Sequence, residues 1–274
     1  MGSLYAAAAS YLDARAHGGR WLVRVEDLDK PREVAGATDG ILKTLEAFGF
    51  EWDGEILYQS RRIEIYRAAL QELQSRDLIF ACSCSRQQLE DEQRYPGTCR
   101  GRPAHTDLAT AARLKVEGGV ITFCDDVQGV FAQDVGVEVG DVILRRRDQI
   151  FAYLMAVVVD DDAQGVTNVV RGADLLDNTP RQIYVQRQLH FAQPSYAHVP
   201  VLMEDDGIKL SKSRRSLRLL DLQPLAQLLS TFTLLGLNPP PLDEFSATRD
   251  AWRWAIAQWN VNKVPKRLKL PLKG

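Results

Sequence analysis

The chain has 274 residues, 45% of them hydrophobic and 26% charged, the proportions of an ordinary folded protein with room for one substantial core or for a domain carrying a smaller insert. A formal net charge of −2 excludes long-range capture of a polyanion by the molecule as a whole, so a nucleic-acid partner would have to be held by local basic patches. No apolar run approaches the roughly 20 residues that span a bilayer, and the start Met1-Gly-Ser-Leu4 lacks the basic lead and cleavage pattern of a signal peptide, so the expected compartment is the cytoplasm.

Residues 4–17 are Ala-rich with apolar spacing at helical period, and Gly18-Gly19 supplies a stop. Residues 21–26 then read as a buried strand ending in the carboxylate of Glu26, followed by the turn 27–31. A helix, a strand and an acidic strand end are the grammar of a parallel α/β sheet, in which ligands gather at the carboxyl edge. Residues 35–48 predict a second helix closed by Gly49, and Ser60 is placed to cap a third over 61–75. A short strand, 78–81, leads to a cluster of cysteines.

From Cys82 to about Asp141 the text becomes richer in Gly and Pro, with strand-like runs such as 120–123 and one expected helix, 107–116; this stretch reads as a small inserted subdomain. The apolar run 150–159, three acids at 160–162 and a strand at 166–171 follow. Thr179-Pro180 marks the cap and first turn of a helix to about Leu189, and 196–203 reads as a strand whose exit is the loop 204–216. Helices at 225–235 and 249–259 precede a basic tail that reads as a solvated or frayed end.

Three features carry chemistry. Cys82, Cys84 and Cys99 with Tyr95 offer three soft ligands and a phenol, able to complete a tetrahedral metal site; the alternative is a set of partly buried thiols in a loop-rich region. Cys124 reads as a strand residue. Four cysteines in this pattern do not suggest a disulfide framework. Glu26, at a strand end, is placed to accept an ammonium or hydroxyl, with a structural ion pair as the alternative. Tyr153 and Arg171 flank the second apolar segment, where a guanidinium could take an acidic ligand bidentately. The third feature is Gly207-Ile-Lys-Leu-Ser-Lys-Ser-Arg-Arg-Ser216, whose Lys209 and Lys212 suit a polyphosphate, against the alternative of a solvated basic loop. Other basic patches lie at 145–147, 209–218 and 263–273.

Taken together, Gly19-Arg-Trp-Leu-Val-Arg-Val-Glu-Asp-Leu-Asp29, Phe151-Ala-Tyr153, Val157-Val-Val-Asp-Asp161, Gly165-Val-Thr-Asn-Val-Val-Arg-Gly-Ala-Asp174 and Lys209-Leu-Ser-Lys-Ser213 resemble the class I aminoacyl-tRNA synthetases of the glutamate type. The last resembles that family's KMSKS loop. Only about sixty residues follow it, which matches the short paralogues that keep the catalytic domain and lack the anticodon-binding domain. The resemblance implies a doubly wound, Rossmann-type parallel sheet built from 1–81 and 142–220, a zinc-bearing insert at 82–141 and a helical segment at 221–274. It implies that Glu26 receives the amino group of glutamate, that Tyr153 and Arg171 hold the amino acid, Arg171 through a carboxylate, and that Lys212, with Lys209 beside it, neutralises the phosphates of ATP, which carries Mg²⁺. Zn²⁺ would be held by Cys82, Cys84, Tyr95 and Cys99. The glutamyl group would pass to queuosine at the wobble position of tRNA(Asp), with the protein acting as a monomer.

One part departs from the pattern. The family opens with a strand, a turn and a His-x-Gly-His or His-x-Gly-Ser signature that embraces ATP. Met1-Gly-Ser3 corresponds to the end of that signature, so Gly2 and Ser3 are the expected ATP contacts while the first strand is missing. The expectation is a biological protein longer by roughly 15 to 30 residues; the alternatives are a decayed gene and, against the continuation of the family pattern through Gly2-Ser3-Leu4, a Met-Gly-Ser left by a cloning vector. The competing functions are an ordinary tRNA-glutamylating enzyme cut short and a non-catalytic, zinc-bearing RNA-binding module.

Overall fold

The computed structural model describes residues 2–30, 34–85, 87–89, 94–102, 109–203 and 223–272. Its first element, α1 (Gly2–Ala16), buries Leu4, Tyr5, Ala8, Ala9, Tyr11 and Leu12, and the small alanines let its axis lie close against a neighbouring strand, β8 (Asn168–Gly172). Gly18, at φ +66°, turns the chain out of the helix, and the Gly19 amide donates to Ala14 O at 2.8 Å, the hydrogen-bonded stop that a left-handed glycine permits.

The expected strand at 21–26 is extended, but only Arg24–Val25 (β1) forms a regular ladder, parallel to Leu57–Tyr58 (β2). Its start is tied differently: the Trp21 amide donates to the Asp53 carboxylate at 2.8 Å, and the Asp53 amide donates to Trp21 O at 2.8 Å. Helix α2 (Ala37–Ala47) precedes β2, and α3 (Ile63–Ser75) follows it after a single 3-10 turn, Gln59–Arg61. Strand β3 (Ile79–Cys82) leads to the cysteines.

The expected helix at 107–116 is not formed: Ala111–Leu114 is a strand, β4, and 103–108 lie outside the described residues. All four residues of β4 are buried, and it is paired antiparallel with β3 on one side and with β7 (Val142–Arg145) on the other. The helical preference of Ala and Leu amounts to a few tenths of a kcal/mol per residue, and burial between two strands outweighs it.

Strands β5 (Val120–Asp125) and β6 (Gly129–Asp134) form an antiparallel hairpin, followed by one short helical turn, α4 (Val135–Glu138). The hairpin does not stand apart. Asp125 pairs in parallel with Tyr196 of β9 (Ser195–Val199), which runs parallel to β8, giving the order β6-β5-β9-β8. The described strands therefore fall into four small sheets, antiparallel at β3/β4, β4/β7 and β5/β6 and parallel elsewhere, rather than into one continuous parallel sheet. The class remains α/β.

Helix α5 (Tyr153–Gln164) ends at the left-handed Gly165, and α6 (Thr179–Gln188) begins with Pro180 in its first turn, as its sequence predicts. Strand β10 (Val201–Met203) is paired in parallel with Lys269–Pro271 (β11), so the basic tail is a strand and not a frayed end. Its alternation Leu268, Leu270, Leu272 places the last two against the core.

Two apolar clusters hold these elements. One centres on α1, α7 (Pro224–Leu234) and α8 (Thr248–Gln258), where the Tyr11 ring meets Trp21, Phe50 and Trp252 at centroid distances of 5.2, 5.3 and 4.8 Å. At its edge Gly49, φ +76°, lies so close to α8 that a Cβ would come within 2.7 Å of Thr248 Oγ1. The other cluster joins Tyr66, Leu70 and Leu73 of α3 to Leu114, Ile121, Phe123 and Leu144, and to α5, α6 and Tyr196. Strands β4, β5 and β7 thus share a core with α5 and α6.

Candidate active site

The acids that follow β1 have separate tasks. Asp27 accepts from the Ser60 amide at 2.8 Å and the Ser60 hydroxyl at 2.5 Å, fastening the turn after β2. Burial works to raise its carboxyl, but these hydrogen bonds outweigh that and hold it below the usual range. Asp29 accepts from Arg146 at 2.8 Å. Glu26 alone is turned toward open space, with its side chain 44% exposed.

That space is a cleft of about 920 Å³ between β1 and β8, with Arg24, Glu26, Tyr153, Asp161, Gln164 and Arg171 among its lining residues. Arg24 donates to Asp161 at 2.8 Å and to Gln164 at 3.0 Å, while its Nε stands 3.8 Å from Glu26 Oε1. The walls crowd Glu26 despite its opening to the cleft: desolvation pushes its carboxyl up, against the pull of Arg24. Desolvation likewise raises Asp161, again opposed by Arg24. Arg171 is close enough to act electrostatically on both acids.

The paired acids of Val157-Val-Val-Asp-Asp161 divide in the same way. Asp161 faces the cleft. Asp160, wholly buried, accepts from Arg62 Nε at 2.6 Å, Gln59 at 2.9 Å and Tyr66 at 2.8 Å. It is an anchor between α5 and α3, and it keeps the face of α5 that carries Tyr153 and Asp161 in place.

Arg171 is the most constrained group in the cleft. Its Nε donates to His198 Nε2 at 3.1 Å, its Nη2 to Thr179 Oγ1 at 2.9 Å and Gln182 Oε1 at 2.6 Å, and its Nη1 to the Tyr153 hydroxyl at 3.4 Å. Four of the five guanidinium N–H groups are so engaged. A carboxylate meeting this arrangement would find one Nη1 N–H beside the Tyr153 phenol rather than a free two-pronged fork. This corrects the expectation of bidentate capture. Desolvation raises the Tyr153 phenol, which stays protonated as a donor. Glu26, Tyr153 and Arg171 are thus brought to one cleft. Gln182 and His198 were not singled out from the sequence; Thr179 was read only as a helix cap, and Arg24 and Asp161 stood in motifs without a role of their own.

A second cavity, about 170 Å³, is lined by Gly2, Ser3, Tyr5, Ala6, Gly172, Asp174 and the segment 200–202. Gly2 and Ser3 form the first turn of α1, where backbone N–H groups have no partner within the helix and suit an anion. Gly172 lets the Asp174 carboxylate approach here, since a Cβ would lie 2.6 Å from Asp174 Oδ1 and the acid would have to turn away. Arg171 lines the cleft and the next residue, Gly172, lines this cavity, so the two spaces flank one strand end. Lys209 and Lys212 lie outside the described residues.

The cysteines gather beyond β3. The thiols of Cys82, Cys84 and Cys99 lie within 4.8 Å of one another, and all are free of disulfides. Cys84 and Cys99 are 3.5 Å apart, and the Tyr95 hydroxyl is 3.3 Å from Cys82 Sγ and accepts from the Cys99 amide at 3.0 Å. Four ligands around an ion at about 2.3 Å would have sulfur–sulfur distances of about 3.8 Å, so the thiols are near the spacing that holds a metal. Burial opposes ionisation of Cys99, but the Ser83 amide and the neighbouring thiol and phenol overcome it and draw its pKa down to about 6. Burial and the other thiols push Cys84 up to about 11. The Arg113 guanidinium lies 3.7 Å over the Tyr95 ring. Cys124 is exposed on β5, away from the group.

The family described as tRNA synthetases class I (E and Q), catalytic domain, matches residues 1–268. A glutamyl-Q tRNA(Asp) synthetase from Ectopseudomonas mendocina is 52% identical over 267 residues, covering 97% of this chain and 90% of that protein. One of the same name from Dechloromonas aromatica is 48% identical, covering 97% and 92%. Among solved structures, a glutamate-tRNA synthetase from Elizabethkingia anophelis superposes with a TM-score of 0.80 at 20% identity, covering 99% of this chain. A glutamate tRNA ligase from Elizabethkingia meningosepticum, solved with its amino acid, gives 0.80 at 20% identity, covering 98% of this chain. The chain spans 65% and 63% of the length of those two solved chains, and at this identity the likeness is one of fold.

Proposed function

The chain belongs to the class I tRNA synthetases for glutamate and glutamine, as a catalytic domain, and from that premise we propose that it activates glutamate with ATP and transfers the glutamyl group to queuosine in tRNA(Asp). The observation that carries this reading is the meeting of Glu26, Tyr153 and Arg171 on one cleft, beside a cavity that begins at the next residue of the same strand. The names borne by relatives of about half identity over nearly the whole chain favour queuosine in tRNA(Asp) as acceptor.

In this reading the Glu26 carboxylate accepts the substrate ammonium, and the remaining N–H of Arg171, with the Tyr153 hydroxyl, takes a carboxylate. Gly2 and Ser3 present the first turn of α1 to ATP, and Lys212 and Lys209 neutralise its phosphates. Mg²⁺ bound with ATP would shield the triphosphate. Joining the substrate α-carboxylate to the α-phosphate then depends on alignment and charge stabilisation, with no covalent enzyme intermediate needed. Cys82, Cys84, Cys99 and the Tyr95 phenol would hold one Zn²⁺, which would staple a stretch with little apolar core of its own. The catalytic domain would comprise 1–81 and 142–220, with 82–141 as an insert sharing strands with it and 221–274 packed behind α1; the protein would act as a monomer in the cytoplasm.

The test is a charging assay with radiolabelled glutamate on tRNA(Asp) with and without queuosine and on tRNA(Glu). Label on queuosine-containing tRNA(Asp) alone is expected. Label on the 3′ end of tRNA(Glu) would overturn the choice of acceptor, and absence of label on every tRNA would favour a binding module.

A further inference from the structure

Arg171 reaches the cleft from β8, and its register partner across the β8–β9 ladder is His198. His198 is fully buried, as is the side chain of Asp125, and the imidazole Nδ1 lies 2.6 Å from Asp125 Oδ2. Asp125 is an unexpected residue at its position: along β5 the side chains alternate outward and inward, Ile121 and Phe123 point into the core, and the third inward position is an acid.

The roles of the two ring nitrogens follow from their neighbours. Burial works to raise the Asp125 carboxyl, yet hydrogen bonds from His198 and from the amides of Gln128 and His198 hold it below the usual range, so it is an acceptor only. The proton on the imidazole must then sit on Nδ1. That leaves a lone pair on Nε2, which accepts the Nε–H of Arg171 at 3.1 Å and lies 3.2 Å from the Thr179 hydroxyl. An imidazole protonated on Nε2 would set one N–H against another. The groups facing His198 are Asp125, Arg171 and Thr179, with the Tyr196 ring stacked beside it at 6.2 Å.

We propose that Asp125 and His198 are positioning residues: the buried acid fixes the imidazole tautomer, and the imidazole in turn fixes the Arg171 guanidinium in the orientation that receives the substrate carboxylate. The inference rests on the role given to Arg171 above. It joins β5, a strand of the expected insert, to the amino-acid cleft through two hydrogen bonds.

The decisive variant is Asp125→Asn. Asp125 Oδ1 accepts from three backbone amides, Val127 at 3.1 Å, Gln128 at 2.8 Å and His198 at 3.0 Å. These donors oblige the asparagine to turn its carbonyl oxygen toward them, so its NH₂ must face His198 Nδ1. The turn stays closed, while the imidazole proton is driven to Nε2, against Arg171. The expected result in glutamate-dependent ATP–pyrophosphate exchange is a glutamate KM raised roughly tenfold or more with the ATP KM little changed, while the melting temperature falls because the buried carboxylate–imidazole contact is weakened. His198→Gln, which keeps an acceptor near the Nε2 position, is expected to retain more glutamate affinity than His198→Ala. Imidazole ¹⁵N shifts, read without substrate, should show Nδ1–H in the unaltered protein and Nε2–H in Asp125→Asn. An unchanged glutamate KM in Asp125→Asn, or Nε2–H in the unaltered protein, would overturn the proposal. Arg171→Ala is the control: if it leaves the glutamate KM unchanged, the reading of the cleft fails and the positioning pair falls with it, whereas an effect there with none in Asp125→Asn removes the pair alone.

Discussion

Among the described residues, the cleft proposed to receive the amino acid and the cysteine group both concentrate reactive side chains, and they are held in opposite ways. In the cleft two of the three expected contacts are backed by buried groups: Arg171 by His198 and Asp125, and Tyr153, through its helix α5, by Asp160 with Arg62, Gln59 and Tyr66. Among the described residues the cysteine group has a small apolar surround, with Phe80 as its one buried aromatic besides Tyr95. The cleft takes its geometry from two large cores and can be preorganised without a ligand. The cysteine group is positioned mainly by its own sulfur and phenol contacts, an arrangement whose order is expected to come from an ion.

That contrast can be broken most forcefully at Asp160. Asp160→Ala strips three hydrogen-bond donors of a wholly buried partner, Arg62 included, and should cost about 3 to 5 kcal/mol of stability in a denaturant titration. A loss below about 1 kcal/mol would show that α5 is held by its apolar face alone. Next is Arg171→Ala, expected to lower kcat/KM for glutamate by about 30-fold to a few thousandfold, the equivalent of losing a charged contact worth about 2 to 5 kcal/mol.

Glu26→Gln sharpens the comparison, because activity and stability should move apart. Desolvation raises the Glu26 carboxyl, so its ionised form is disfavoured by folding and its contribution to stability worsens as pH rises through that raised value. Asp125, held below its usual range, has the opposite sign: its contribution is present above the ordinary carboxylate pKa and fades as pH falls through its folded value. Glu26→Gln should therefore leave the melting temperature unchanged or higher near neutral pH while weakening glutamate binding about tenfold or more. In the unaltered protein, the glutamate KM should begin to rise on acidification at a pH above the ordinary glutamate value of about 4.3. A melting temperature and a KM that both worsen in Glu26→Gln would assign the residue to the fold.

Chelation should have the smallest effect on the cleft. Removing bound metal is expected to deprotect the amides around Cys82 to Cys99 in hydrogen exchange while the glutamate KM stays within about twofold, since no cysteine touches the cleft. A collapse of glutamate binding on chelation would show that the cysteine group is coupled to the cleft.

Part of this was legible in the sequence because strand ends and helix starts are written locally. Glu26 closes an apolar run, Arg171 stands at the end of the expected strand 166–171, and Pro180 marks the first turn of α6; the run 150–159 showed only that it is apolar, not that α5 begins at Tyr153. What escaped was long-range. Asp125 and His198 are 73 positions apart, and nothing local pairs them, although the alternation of Val-Ile-Thr-Phe-Cys-Asp125 already turns that acid inward. Leu268, Leu270 and Leu272 likewise spell a strand at period two, hidden beneath the charge of Arg267, Lys269 and Lys273 around them. Residues 111–114 misled in the other direction, since Ala-Ala-Arg-Leu favours a helix until two neighbouring strands bury it. The lysine loop lies outside the described residues, and its place beside the Gly2–Ser3 cavity is an expectation from sequence alone.

The central claim is that the acid, the phenol and the guanidinium of the cleft form a receptor for glutamate. Glutamate-dependent ATP–pyrophosphate exchange, measured side by side for the unaltered chain and Arg171→Ala, tests it most directly. The account predicts exchange that saturates with glutamate, is not supported by glutamine or aspartate at comparable concentration, and falls steeply in the variant. Exchange of equal efficiency in the two proteins would contradict it.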